Sequence, residues 1–196
     1  MTHLLRFAKH SGQVFDIFIM RLFLAVELSD KIKKEIDNQL SEIKKTYPQF
    51  QWIPNDNYHI TVNFFGEVNN QKKIINRLEE VLYDKESFYF YSTTLDLFIR
   101  NKITIYLNFK REKIIEKINE DINETFQIFE NSVKFTPHLT LARYKIPSKQ
   151  QYFVLKKRLT KVSVDISFKI NKLTLFKSIL NENCSIYKKI HTFKLL

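Results

Sequence analysis

Two short segments combine histidine and threonine in a way that could do chemistry. Residues 55–68 read NDNYHITVNFFGEV and residues 135–145 read FTPHLTLARYK. Each sets a His-x-Thr triplet among apolar residues: His59 and Thr61 beside Ile60 and Val62, His138 and Thr140 beside Leu139 and Leu141. Side chains alternate along a strand, so the polar pair of each triplet would share one face, ~6.5 Å apart, with its apolar neighbours on the other. Two such strands facing one another would line a cleft with two imidazoles and two hydroxyls. That set suits cleavage of a phosphodiester, which needs a base for the attacking water, an acid for the departing alkoxide and donors for the non-bridging oxygens. The histidines could serve as base and acid, and the threonine hydroxyls as donors. These steps require no metal, and no cofactor is expected.

A lone histidine on a strand is ordinarily structural, and the weight here comes from recurrence. His3, His10 and His191 have no comparable setting and read as structural residues.

The elements that would position the triplets also recur. RLFLAVEL alternates Leu22, Leu24, Val26 and Leu28 against Arg21, Phe23, Ala25 and Glu27, which is the period of a strand. Ser29 and Asp30 then offer a helix N-cap, and Ile32, Ile36, Leu40, Ile43 and Tyr47 follow at helical spacing until Pro48. The His59 strand comes next, closed by Gly66, and leads to a helix on Ile74, Ile75, Leu78 and Leu82 and a strand near 88–99. KITIYLNF restarts the programme, with a helix carrying Ile115, Ile118, Ile122, Phe126 and Phe129 and then the His138 strand. Pro147 and Ser148 open a shorter helix, and strands are expected over 162–177 and 184–194.

This order reads as an internal duplication, with repeats over roughly 20–100 and 101–196. With two glycines, four prolines and no Gly/Ser- or Pro-rich linker between the halves, the repeats should pack as lobes of one body over 20–196. The expected fold is α+β: two pseudo-symmetric β-α-β-α-β lobes, helices outside two sheets, and a central groove. Residues 1–19 precede a start-like Met20-Arg21 and read as an N-terminal extension.

At 196 residues the chain is long enough to bury a substantial core. Its only cysteine, Cys184, excludes an internal disulfide and a clustered cysteine zinc site, which fits a reducing cytoplasm. No stretch approaches the ~18 apolar residues of a membrane span, and no secretory cleavage pattern follows the N-terminal apolar patches. A net charge of +11 favours a polyanionic partner such as RNA. The excess is mostly lysine, as AT-rich codon usage alone would also give.

HITVNFFGEV and TPHLTLARYK, with MRLFLAVEL and WIPNDNYH ahead of them, resemble the two-histidine (2H) phosphoesterase superfamily. Within it they are most similar to the RNA 2',3'-cyclic phosphodiesterases, also named 2'-5' RNA ligases. The resemblance spans residues 20–196 and implies a bilobal fold whose groove opens 2',3'-cyclic phosphates of RNA ends or nucleotides to 2'-phosphates without a metal, with 2'-5' ligation as a companion activity. It implies the acid role for His59 and the base role for His138, whereas the residues themselves leave the roles open. It also implies substrate contacts for Thr61, Thr140 and Arg143. Strand parity, however, puts Arg143 on the Leu139 face, so that it would reach phosphate only if the strand bends. Asn63 departs from the basic residue common in similar proteins at that position.

Trp52, Phe65 and Tyr144 are candidates for stacking on a base, and Lys145, Lys149, Lys156 and Lys157 for tracking a backbone. The chain is expected to act as a cytoplasmic monomer. The rival readings are another 2H activity, on 2'-5' oligoadenylates or small cyclic nucleotides, and a non-catalytic RNA-binding module.

Overall fold

A computed structural model describes residues 20–99, 101–128, 135–180 and 185–196. The expected extension over 1–19, with His3 and His10, as well as Phe129 and Cys184, lie outside the described residues. The first strand, β1 (Met20–Glu27), is followed by α1 (Asp30–Gln39) and α2 (Ser41–Thr46). The Ser29 hydroxyl accepts from the Ile32 amide and so caps α1 as its sequence position suggested. The apolar stripe from Ile32 to Tyr47 does not form one helix. It breaks at Leu40, which is wholly buried, while the Gln39 amide bonds both backbone groups of Asp165.

A two-residue strand, β2 (Gln51–Trp52), and a short 3-10 turn (Asn55–Asn57) lead into β3 (His59–Val68). The strand does not stop at Gly66. Gly66 takes a φ of 66°, a left-handed conformation that costs glycine little. The β1–β3 register slips there, from Leu22 opposite Gly66 to Phe23 opposite Phe64, so the glycine serves a bulge inside the strand.

The chain continues through α3 (Gln71–Leu82), β4 (Phe88–Ile99), β5 (Ile103–Phe109), α4 (Lys113–Phe126), β6 (His138–Tyr144) and α5 (Lys149–Leu159). Ser148 and Gln151 close a reciprocal capping box on α5. The strand expected over 162–177 is two strands, β7 (Ser167–Ile170) and β8 (Lys172–Leu180), which separate at Asn171 and go to distant places in the sheet. The last strand is β9 (Ser185–Lys194).

All strands join one antiparallel sheet in the order β7-β4-β5-β6-β3-β1-β8-β9, with β2 also on β6. Its middle is thin: β3 and β6 are paired only through Ile60 and Leu139. The two expected sheets are therefore the two sides of this seam. The limits expected near residue 100 do not match the pairing. β4 joins β5 in a hairpin and so lies with the His138 strand, while β8 and β9 return to the side of β1 and β3. Helices cross over too, since α4 packs on β3 and on α3. The physical reason is local: an antiparallel neighbour in sequence is the nearest available pairing partner, which outweighs the boundary of a repeat.

One core runs under both sides. Leu22, Leu24 and Val26 of β1, Ile103, Ile105 and Leu107 of β5, and Ile115, Ile118 and Ile122 of α4 are all buried in it. The opposite face of β1 also carries buried residues: Phe23 and Ala25 are buried with Phe176 in a second, smaller cluster on the side of the His59 ring.

Candidate active site

β3 and β6 have the same burial pattern over their first six residues: half-buried His and Thr alternate with buried apolar residues, then a second buried residue follows directly, then an exposed one. The cause is a matched bulge. β1–β3 pairing slips between Leu24 opposite Asn63 and Ala25 opposite Thr61, and β5–β6 pairing slips between Ile105 opposite Ala142 and Tyr106 opposite Thr140. Each bulge turns the strand past its triplet, so the parity of the residues that directly follow is reversed.

Continuing antiparallel from the Ile60–Leu139 pair sets His59 level with Thr140 and Thr61 level with His138. At ordinary strand spacing the two histidines are then diagonal neighbours, roughly 7–8 Å apart. This register sets the four side chains on one face across the seam.

Both rings are held in the same way. His59 Nδ1 lies 2.7 Å from the carbonyl of Asn57, and His138 Nδ1 lies 2.9 Å from the carbonyl of Thr136. A carbonyl oxygen only accepts, so Nδ1 carries the hydrogen in each ring and Nε2 is the nitrogen left for exchange with a substrate. Aromatic side chains flank each ring. Phe23 and Tyr187 stand 5.1 Å and 4.9 Å from His59, and Tyr106 and Phe98 stand 5.3 Å and 5.8 Å from His138, centroid to centroid.

Burial pushes the His59 pKa below its usual value, and the charges of His138 and Arg143 push it the same way, against the opposing bond to the Asn57 carbonyl. Tyr106 is pushed up, mainly by burial and then by the Asp96 carboxylate to which it is hydrogen-bonded. A cavity of about 230 Å³ adjoins His59, lined by Phe23, Phe176, Tyr187 and the charged Glu27, Lys33 and Lys189. Among the described residues, no three His, Cys, Asp or Glu side chains come together as a metal site requires.

Arg143 corrects the parity argument. The bulge at Leu141 and Ala142, both buried, returns Arg143 to the face of His138 and Thr140; it is exposed, and its charge acts on His59. The bulge at Val62 and Asn63 does the reverse for Asn63, which is buried and donates to Asn123 of α4 at 2.7 Å. Position 63 faces the core here, so its departure from a basic residue removes nothing from the groove.

The three expected stacking residues also face the core side. Trp52 donates to the Tyr47 carbonyl and packs near Phe50, Tyr144 packs on Phe50, and Phe65 packs on Phe126. Of the lysines, Lys156 pairs with Asp96 and Lys145 lies over the Tyr144 ring. His191 is outside the groove as expected, bonded to Glu79 of α3. The aromatic residues around the histidines were missed. Tyr106 and Phe23 could have been found, because each occupies the non-core parity of its alternating strand, the parity of the triplets.

Twinned strands that bring two imidazoles and two hydroxyls into one groove suit cleavage of a phosphoester. The family model described as "2'-5' RNA ligase superfamily" matches residues 30–182, and the chain belongs to that family. It is 31% identical over 179 residues to the RNA 2',3'-cyclic phosphodiesterase of Methanocaldococcus jannaschii, covering 87% of this chain and 98% of the relative. It is 25% identical over 186 residues to the protein of the same name from Thermotoga maritima, covering 88% and 94%. The fold is that of E. coli LigT, solved in apo form, at a TM-score of 0.71 and 18% identity, covering 90% of this chain and 98% of that one.

Proposed function

We propose that this enzyme hydrolyses RNA 2',3'-cyclic phosphodiester ends to 2'-phosphomonoesters. The observation that carries the reading is the meeting of two His-x-Thr strands at the Ile60–Leu139 pair, each histidine anchored through Nδ1 to a carbonyl two residues earlier. It is supported by relatives of similar length named for this activity.

Water attacks phosphorus opposite the 3'-oxygen, forming one P–O bond as the P–O3' bond breaks. Nε2 of one histidine takes the proton from water, and the imidazolium of the other gives its proton to O3'. Thr61, Thr140 and Arg143 donate to the non-bridging oxygens, whose charge grows in the transition state. Each turnover returns the two rings with their protonation exchanged, and solvent resets them. Family resemblance gives the acid to His59. Its lowered pKa makes it neutral in the empty groove, so in that role it takes its proton as the anionic phosphate enters, which favours the imidazolium.

Both histidines belong to one chain, so a monomer suffices. Among the described residues no helix is long and apolar enough to cross a membrane, and the single cysteine supports a cytoplasmic setting.

The test is incubation with an RNA oligomer ending in 2',3'-cyclic phosphate, in the presence of EDTA, followed by identification of the product. The expected product ends in 2'-phosphate. Unchanged RNA held in a tight complex would instead make the chain a binding module, and a 3'-phosphate end would reverse the assigned leaving group.

A further inference from the structure

The face of the sheet that bears His138 continues past the groove. Tyr106 and Asn108 of β5 share that face, opposite Thr140 and His138, and Asp96 of β4 follows opposite Tyr106. Toward its start, β4 alternates buried Phe88 and Phe90 with Tyr89 and Tyr91, which are 49% and 46% exposed. Phe90 packs on Phe109 in the core, so the two tyrosines project from the opposite, His138-bearing side. Their rings stack with centroids 6.2 Å apart and planes at 28°.

Cations flank this pair. The Lys110 amide donates to the Tyr91 carbonyl at 2.8 Å, continuing the β5 ladder, and its ammonium lies 5.6 Å from the Tyr91 ring centroid. Lys169 of β7 is exposed and stands opposite Tyr89 in register. His138 is opposite Asn108, so Tyr91 lies two strands across and two residues along from it, roughly 12 Å at ordinary strand spacings.

Stacked, half-exposed aromatic rings add little to a core, but they present flat faces on which bases of any sequence can stack, and adjacent lysines neutralise backbone phosphates. We propose that the Tyr89–Tyr91 ledge, with Lys110 and Lys169, is a subsite for single-stranded RNA on the 5' side of the cyclic phosphate. The inference rests on the hydrolytic reading above and deepens it: the ledge makes an RNA oligomer, rather than a free cyclic nucleotide, the preferred substrate.

The test compares kcat/KM for a nucleoside 2',3'-cyclic monophosphate with that for a short oligoribonucleotide ending in 2',3'-cyclic phosphate. The wild-type chain should favour the oligomer. Tyr91→Leu should lower the oligomer value about 10- to 100-fold, the range of one lost base stack, and leave the mononucleotide value unchanged. Tyr91→Phe keeps the aromatic face and should retain the preference. Lys110→Gln with Lys169→Gln should flatten the slope of log kcat/KM against log salt for the oligomer by about 1.4. Equal losses on both substrates, or no oligomer preference in the wild type, would overturn the ledge. Should the wild type turn over neither substrate, the hydrolytic reading fails on its own, and anisotropy with an oligomer ending in 2'-phosphate decides the ledge: weaker binding by Tyr91→Leu supports it and equal binding overturns it.

Discussion

The two repeats agree through His, Thr and the bulge, and diverge at the next position: Arg143 follows Ala142, whereas Phe64, 63% exposed, follows Asn63. At these matched positions one strand carries a guanidinium and the other a phenyl ring, and the guanidinium's charge acts on His59. Arg143→Ala should do two things at once. If the proposed contact holds, the substitution removes a charged donor to phosphate and should lower kcat/KM about 10²- to 10³-fold, and it relieves His59, whose pKa should rise in an NMR titration of the free protein. Loss of rate with an unmoved His59 titration would mean that Arg143 acts at a distance from that ring. His59 also links the site to stability. Because its pKa falls on folding from an ordinary 6.5, the unfolded chain takes up this proton first. Its contribution is intact above about 6.5 and is lost as pH falls from there through the lower folded value. Urea unfolding across that window should show a shallower acid loss for His59→Gln, and an identical pH dependence would contradict the burial of a neutral ring.

At the scale of the elements, the bulges in β3 and β6 aim the site, and their support is specific. At the first, Asn119 of α4 donates to the Val62 carbonyl at 2.8 Å, inside the core. Asn119→Ala removes that hydrogen bond, and we expect a loss of roughly 0.5–1.5 kcal/mol in unfolding free energy with a lower kcat, because Thr61 directly precedes the bulge. A stability change within about 0.5 kcal/mol, the range of an uninvolved surface substitution, would show that the bulge holds without it. Such features explain what could be read in advance. The shared face of His59, Thr61, His138 and Thr140 was legible because period-2 alternation and repetition are properties of the chain alone. Arg143 and Asn63 were misplaced because a bulge is a relation between two strands, and the partner's register is not written beside the residue it redirects. The break at Leu40 has the same origin, since the apolar stripe continues while a contact from Asp165 lies far along the chain.

The molecule is two sheet sides that exchange strands and helices over one core, with the His59 and His138 strands paired at Ile60 and Leu139. The duplication was legible in the recurring β-α-β order, but the exchange was not: nothing local to β8 or α4 says that each packs against the first half of the chain. That exchange matters to function, because it holds two histidines from distant segments on one seam, where the central claim is that they divide acid and base work on a single phosphate. The most direct test uses a p-nitrophenyl ester of a nucleotide phosphate, whose leaving group needs no proton, alongside the cyclic substrate, with His59→Ala and His138→Ala. On the cyclic substrate both variants should slow by ~10² to 10⁴-fold. On the p-nitrophenyl ester only the variant lacking the acid should recover, and the family assignment makes that His59→Ala. Recovery of both variants, or full activity of either on the cyclic substrate, would contradict the two-histidine mechanism.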